Sequence, residues 1–107
     1  MIRDDTLGAN VEQGPINFSS SGPSVVIPGK VGQIIRVLQF FYTVGAATNL
    51  QLFSGATALS GALTFTSAGA QVQDYDQLPI TCNEDDPFIM NSSAAVQVSG
   101  MIWWIWK

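Results

Sequence analysis

The stretch Met101-Ile102-Trp103-Trp104-Ile105-Trp106-Lys107 decides how this chain is read, because it holds all three tryptophans. Read as a β-strand, it sends alternate side chains to opposite faces. Ile102, Trp104 and Trp106 then share one face, and Met101, Trp103 and Ile105 the other. Both faces are apolar, and a domain of 107 residues offers one core. The second face is expected to meet another chain, since large apolar patches are rarely left in water. A second stretch, Gln33–Val44, reads the same way. It sets Ile34, Arg36, Leu38, Phe40, Tyr42 and Val44 on one face and Ile35, Val37, Gln39, Phe41 and Thr43 on the other.

Outward from these two stretches, no helical period of useful length is visible. Short alternating runs are separated by Gly, Pro, Ser, Asn and Asp, the pattern of a sandwich or barrel. Residues 1–15 are polar, with Gly8 and a Gly14-Pro15 break, and read as an extended N-terminal arm. Residues 16–107 read as one β-domain. Strands are expected at Ile16–Ser19, Ser24–Ile27, Gln33–Val44, Asn49–Phe53, Ala62–Thr66, Ala70–Tyr75 and Phe88–Met90. A last strand, Ala94–Ser99, should run on into the tryptophan segment, with Gly100 marking a bulge. About eight or nine short strands suit an all-β, antiparallel β-sandwich of jelly-roll type. The two longest should be central, because an edge position would expose a template for aggregation.

The chain is 47% hydrophobic and only 11% charged, against roughly 25% charged in typical soluble domains. So few charges favour association, and partner subunits are expected to cover much of the surface. The net charge is −4, and the four basic residues, Arg3, Lys30, Arg36 and Lys107, are scattered. Nucleic-acid binding needs clustered Lys and Arg and is disfavoured. The apolar run Ile34–Val44 is too short to span a bilayer. Met1–Asp5 lacks the basic and apolar regions of a signal peptide, so export is not expected.

Catalytic chemistry finds little support. There is no histidine, the commonest general base and metal ligand. Gly29-Lys30 is followed by Val31 and lacks the glycine spacing of a phosphate loop. Cys82 is alone, which excludes an internal disulfide and a cysteine metal cluster. Asp74, Asp76 and the run Glu84-Asp85-Asp86 read as solvated turns, with a weak Ca²⁺ site as the lesser reading. No enzyme activity, cofactor or metal is expected. Asn17-Phe18-Ser19 and Asn91-Ser92-Ser93 match the glycosylation pattern, which has no meaning without export. The aromatics Trp103, Trp104, Trp106, Phe40, Phe41 and Tyr42 are the candidate subunit interface. The alternative use is a sugar-binding platform beside the acidic loop Asn83–Asp86.

Three segments carry a resemblance. Val26-Ile27-Pro28-Gly29-Lys30-Val31-Gly32-Gln33-Ile34-Ile35-Arg36-Val37-Leu38 resembles the opening of small tailed-phage virion proteins. Ala47-Thr48-Asn49-Leu50-Gln51-Leu52-Phe53-Ser54-Gly55-Ala56-Thr57-Ala58-Leu59-Ser60-Gly61 is similar to the run that follows in that group. Ser93-Ala94-Ala95-Val96-Gln97-Val98-Ser99-Gly100 is similar to its ending. The Trp-rich end departs from the group's milder one. The resemblance implies a jelly-roll-like sandwich displayed on a virion, made in the host cytoplasm. It implies a capsid decoration (cement) protein or head-fibre base, commonly trimeric, bound to the major capsid protein. Ile2, Arg3, Asp4, Asp5, Leu7 and Val11 of the arm would then meet the shell. The alternative within the same resemblance is a tail-fibre or tailspike module that binds host-surface glycan.

Overall fold

The computed structural model describes residues 11–74 and 80–107, and of residues 72–74 the backbone alone. Ten strands follow one another: β1 (Glu12–Phe18), β2 (Gly22–Ile27), β3 (Ile35–Val44), β4 (Thr48–Ser54), β5 (Thr57–Ala58), β6 (Leu63–Phe65), β7 (Gly69–Asp74), β8 (Ile80–Thr81), β9 (Phe88–Ser92) and β10 (Val98–Trp106). They build two antiparallel sheets. Sheet A has the order β1-β10-β3-β7, with β8 also on β3. Sheet B has the order β2-β9-β4-β5, with β6 also on β4. The protein is therefore an all-β sandwich, and the two longest strands lie side by side inside sheet A.

Alternation along each strand builds the core. Sheet A contributes Ile16, Ile35, Val37, Phe40, Tyr42, Val44, Val98 and Ile102; sheet B contributes Ile27, Leu50, Leu52, Phe88 and Met90. Cys82 closes the cluster from the loop after β8. Burying each such aliphatic or aromatic side chain stabilises the fold by roughly 1.5–3 kcal/mol, and the two sheets need each other for it.

The pairing of β10 with β3 corrects the sequence reading of both strands. Trp103 lies opposite Gln39 and Trp104 opposite Val37, so Leu38 is an extra residue on β3. This is a bulge, and it switches the phase of the strand. Ile35 and Val37 point into the core before it; Phe40, Tyr42 and Val44 point into the core after it. The apolar residues that unbroken alternation divides between two faces belong largely to one.

The bulge expected at Gly100 is thus elsewhere, and Gly100 has another reason to be glycine. A Cβ there would overlap the Phe41 carbonyl oxygen and sit 2.7 Å from Tyr42 Cα. The backbones of the two central strands approach too closely for any side chain.

Two other boundaries differ from expectation. β1 begins at Glu12, so Glu12–Pro15, read from sequence as arm, pair with β10. Pro15 is tolerated because β1 is an edge strand, where a missing N–H need not break a ladder. Gly14 lies under the Trp104 ring, which covers the gap left by its missing side chain; a Cβ would sit 3.4 Å from it. At the other boundary, Ala94–Gln97 is no strand. β9 runs on to Ser92, and hydroxyls fold the chain over: Ser92 Oγ donates to the Ala94 carbonyl at 2.7 Å and lies 2.7 Å from Thr48 Oγ1.

Candidate interaction surfaces

The structure separates the six aromatics grouped from the sequence. Phe40 and Tyr42 are 2% and 0% exposed and pack on each other at 5.7 Å in the core. Neither can face a partner, because the bulge at Leu38 turns both inward. Trp104 and Trp106 are half-buried against the same core, edge to face at 6.5 Å. The Lys30 ammonium sits 4.5 Å above the Trp106 ring, a cation–π contact that holds the β2–β3 loop to the end of β10. Only Phe41 and Trp103 point outward. Their rings lie 5.8 Å apart, tilted by 43°, and Phe41 is 39% exposed.

These two rings sit in ordered rows on the outer face of sheet A. Pro15, Met101 and Phe41 form one row. Gln13, Trp103 and Gln39 form the next toward the C-terminal end, and Asn17, Ser99 and Thr43 the next away from it. The Trp103 indole N–H donates to Gln13 Oε1 at 2.9 Å. Gln97 Nε2 donates to Asn17 Oδ1 and Ser99 Oγ, both at 2.8 Å. Ile105 alternates to this face too, opposite Arg36. It is buried, as is Leu38, although neither belongs to the inter-sheet cluster. Part of the second apolar face is therefore already out of water within one chain.

Sheet B carries an outer row that single-strand reading misses. Val25 lies opposite Ile89, Ile89 opposite Phe53, and Phe53 opposite Ala58. The row is aliphatic and aromatic across four strands, and Val25 is 59% exposed. Beside it a shallow groove of about 200 Å³ is lined by Pro23, Phe53, Gly55, Ala56, Ile89 and Asn91. The available signal was the unbroken apolar run Phe88-Ile89-Met90. On a strand covered on one side only, Ile89 has no reason to be apolar.

The acidic loop is tied into the fold. Asp85 holds a positive φ of 71°, and its Oδ1 accepts the Gly32 N–H at 2.6 Å. Asp86 Oδ2 accepts the Ser54 hydroxyl at 3.0 Å, and Ser54 Oγ accepts the Asn83 N–H at 2.8 Å. Gly29-Lys30-Val31-Gly32 is the turn expected: Gln33 N–H donates to the Lys30 carbonyl, with Gly32 at φ 77°. Among the described residues no group of three His, Cys, Asp or Glu could hold a metal ion. Asp76 and the Asp74 side chain lie outside the described set, as do Ile2, Arg3, Asp4, Asp5 and Leu7 of the arm; Val11, just before β1, is half-buried.

Cys82 lies under this loop. Burial chiefly, and the nearby Asp86 charge, push its thiol up from 9.0 to about 11, against a lowering hydrogen bond from Ser54. The thiolate is the reactive form, so iodoacetamide at pH 8 should leave Cys82 unmodified in the folded protein and label it in guanidinium. A folded-state value above the unfolded one means the folded protein binds the proton more tightly. Stability from this group is complete below pH 9 and is lost as pH rises toward 11. A melting temperature that rises over that window would contradict the assignment.

What fold and surfaces define together is a two-sheet antiparallel β-sandwich with an aliphatic outer face on one sheet and an aromatic–amide outer face on the other. No protein-family model, no curated protein and no solved structure matches the chain.

Proposed function

We propose that this protein is a structural subunit that works by assembling: a capsid decoration (cement) protein of a tailed phage, trimeric and bound to the outside of the head. The observation that carries the reading is the row Val25–Ile89–Phe53–Ala58, an uncharged apolar band running across sheet B. Apolar area removed from water contributes roughly 25 cal/mol per Å², and buried aromatic anchors dominate such contacts. In this reading, copies of the chain associate through sheet B, and residues 1–10 reach the major capsid protein. Many equivalent contacts on a shell then multiply a modest single-site affinity.

A jelly roll is the finer fold we infer. Strand pairing supports it: β1 pairs with β10, β2 with β9, β3 with β7 and β8, and β4 with β5 and β6. That nesting is the pattern of one long hairpin rolled into two sheets, a common architecture of capsid proteins.

Two substitutions test the assembly reading. Val25→Lys with Phe53→Lys places two charges in the row without touching the core. The expected result is an unchanged β-sheet circular dichroism spectrum with the solution mass falling to that of the 11.4 kDa monomer. An oligomer of unchanged mass would contradict it. Truncation of residues 1–10 stops short of β1, so the sandwich should keep its melting temperature while binding to isolated phage heads is lost. Full binding by the truncated chain would remove the arm from the account.

A further inference from the structure

The outer face of sheet A differs in kind from that of sheet B. Its middle rows on β1, β10 and β3 carry Gln13, Pro15, Asn17, Ser99, Met101, Trp103, Thr43, Phe41 and Gln39, and none of these is charged. We propose that this face binds an uncharged oligosaccharide, its sugar rings lying on Phe41 and Trp103 and its hydroxyls bonded to the flanking amides of Gln13, Asn17 and Gln97. The proposal does not rest on the assembly reading, since it uses the opposite side of the sandwich.

The chemistry of the groups selects the ligand class. A sugar ring offers an apolar C–H face and a rim of hydroxyls that both donate and accept. Aromatic surface with a few convergent polar groups is the general form of a small-molecule site, and a carboxamide supplies both donor and acceptor. These amides are already oriented. Gln13 Oε1 takes the Trp103 indole proton, which leaves the NH₂ as its donor group and fixes the ring it serves. Gln97 spends its NH₂ on Asn17 and Ser99, which leaves its carbonyl and the Asn17 NH₂ for a ligand. Little side-chain freedom remains to be lost on binding, which favours affinity.

Other occupants fit less well. Nucleic acid and anionic headgroups need clustered Lys or Arg; these rows hold none, and at their margins stand a single cation, Arg36 opposite Ile105, and a single acid, Asp74 opposite Gln39. A protein partner is better served by the aliphatic row on sheet B. Gln13 and Asn17 are four residues apart on one strand, a span of roughly 13 Å, which sets the ligand at oligosaccharide rather than monosaccharide length. The 43° tilt between the rings makes a bent platform, suited to a single twisting chain and not to a flat crystalline polysaccharide.

The test is a ¹⁵N–¹H titration of the full chain with three neutral probes: cellohexaose, maltohexaose and mannohexaose. At least one should shift the Trp103 indole N–H and the Gln13, Asn17 and Gln97 side-chain amides saturably. Phe41→Ala or Trp103→Ala should weaken that binding by roughly tenfold or more, and Gln13→Leu, which keeps the strand, should weaken it as well. Val25→Lys with Phe53→Lys should bind unchanged. No shift with any probe at millimolar concentration overturns the proposal. So does a Phe41→Lys variant whose solution mass falls, because the face would then be a contact between copies.

Discussion

Replacing Gly100 with alanine should abolish the native fold or lower its melting temperature by at least about 12 °C. The added Cβ would overlap the Phe41 carbonyl oxygen and lie 2.7 Å from Tyr42 Cα and 2.8 Å from the Phe41 carbonyl carbon. These are backbone atoms of the neighbouring central strand, so no side-chain rotation relieves the clash. β10 would have to leave β3, and with it the ladder that pairs Val98 through Trp106 with Val44 through Ile35. Overpacking of this kind costs about 3 kcal/mol or more, a large part of the stability of a small domain. Gly61 is the control. Nothing lies within 4 Å of a Cβ there and its backbone is not left-handed, so Gly61→Ala should stay within about 0.5 kcal/mol of the parent. Thermal unfolding of the two variants side by side decides the matter, and equal melting temperatures would contradict the packing of β10 on β3.

Trp104→Ala should be the costliest of the tryptophan substitutions. The ring covers Gly14 on β1, rests on the core and meets Trp106 edge to face. Removing a large core aromatic costs about 3–5 kcal/mol, and half-burial places this case near the lower end. A fall of roughly 10–20 °C in melting temperature follows. Its indole N–H is buried without a hydrogen-bond partner among the described residues, so Trp104→Phe should retain most of the stability. The contrast is informative. If Trp104 instead anchored a contact between copies, the alanine variant would lose mass in solution while its monomer kept its melting temperature.

How much of this was legible in the sequence depended on whether a feature was local. The alternation of β10 was: Ile102, Trp104 and Trp106 share the inner face as the residue pattern requires. The central place of the two longest strands also followed from their composition. The fault lay in β3. An inserted residue at Leu38 leaves no mark in the pattern of hydrophobicity, and strict alternation carried through it assigns apolar residues to both faces. Much of the apparent need for a second cover came from that phase error. The rest is met in part inside the chain, where Ile105 and Leu38 are buried.

The sheet B row was invisible for a different reason. Val25, Phe53, Ala58 and Ile89 sit on four strands, and only the pairing register brings them into line. The acidic loop likewise gave its charges but not their partners. That Asp85 holds Gly32, 53 residues away, and Asp86 holds Ser54, is a property of the closed sandwich. The aromatic–amide face of sheet A was half visible. Trp103 and Phe41 stood out, whereas Gln13, Asn17 and Gln97 became part of one surface only when β1 paired with β10.

The most direct test of the central claim is the mass of the purified protein in solution by light scattering, as a function of concentration. The assembly account predicts a stable trimer, three times 11.4 kDa, that dissociates when Val25 and Phe53 are both replaced by lysine. A protein that remains a monomer at every concentration would contradict it, and would leave the sheet B row without the partner it is here assigned.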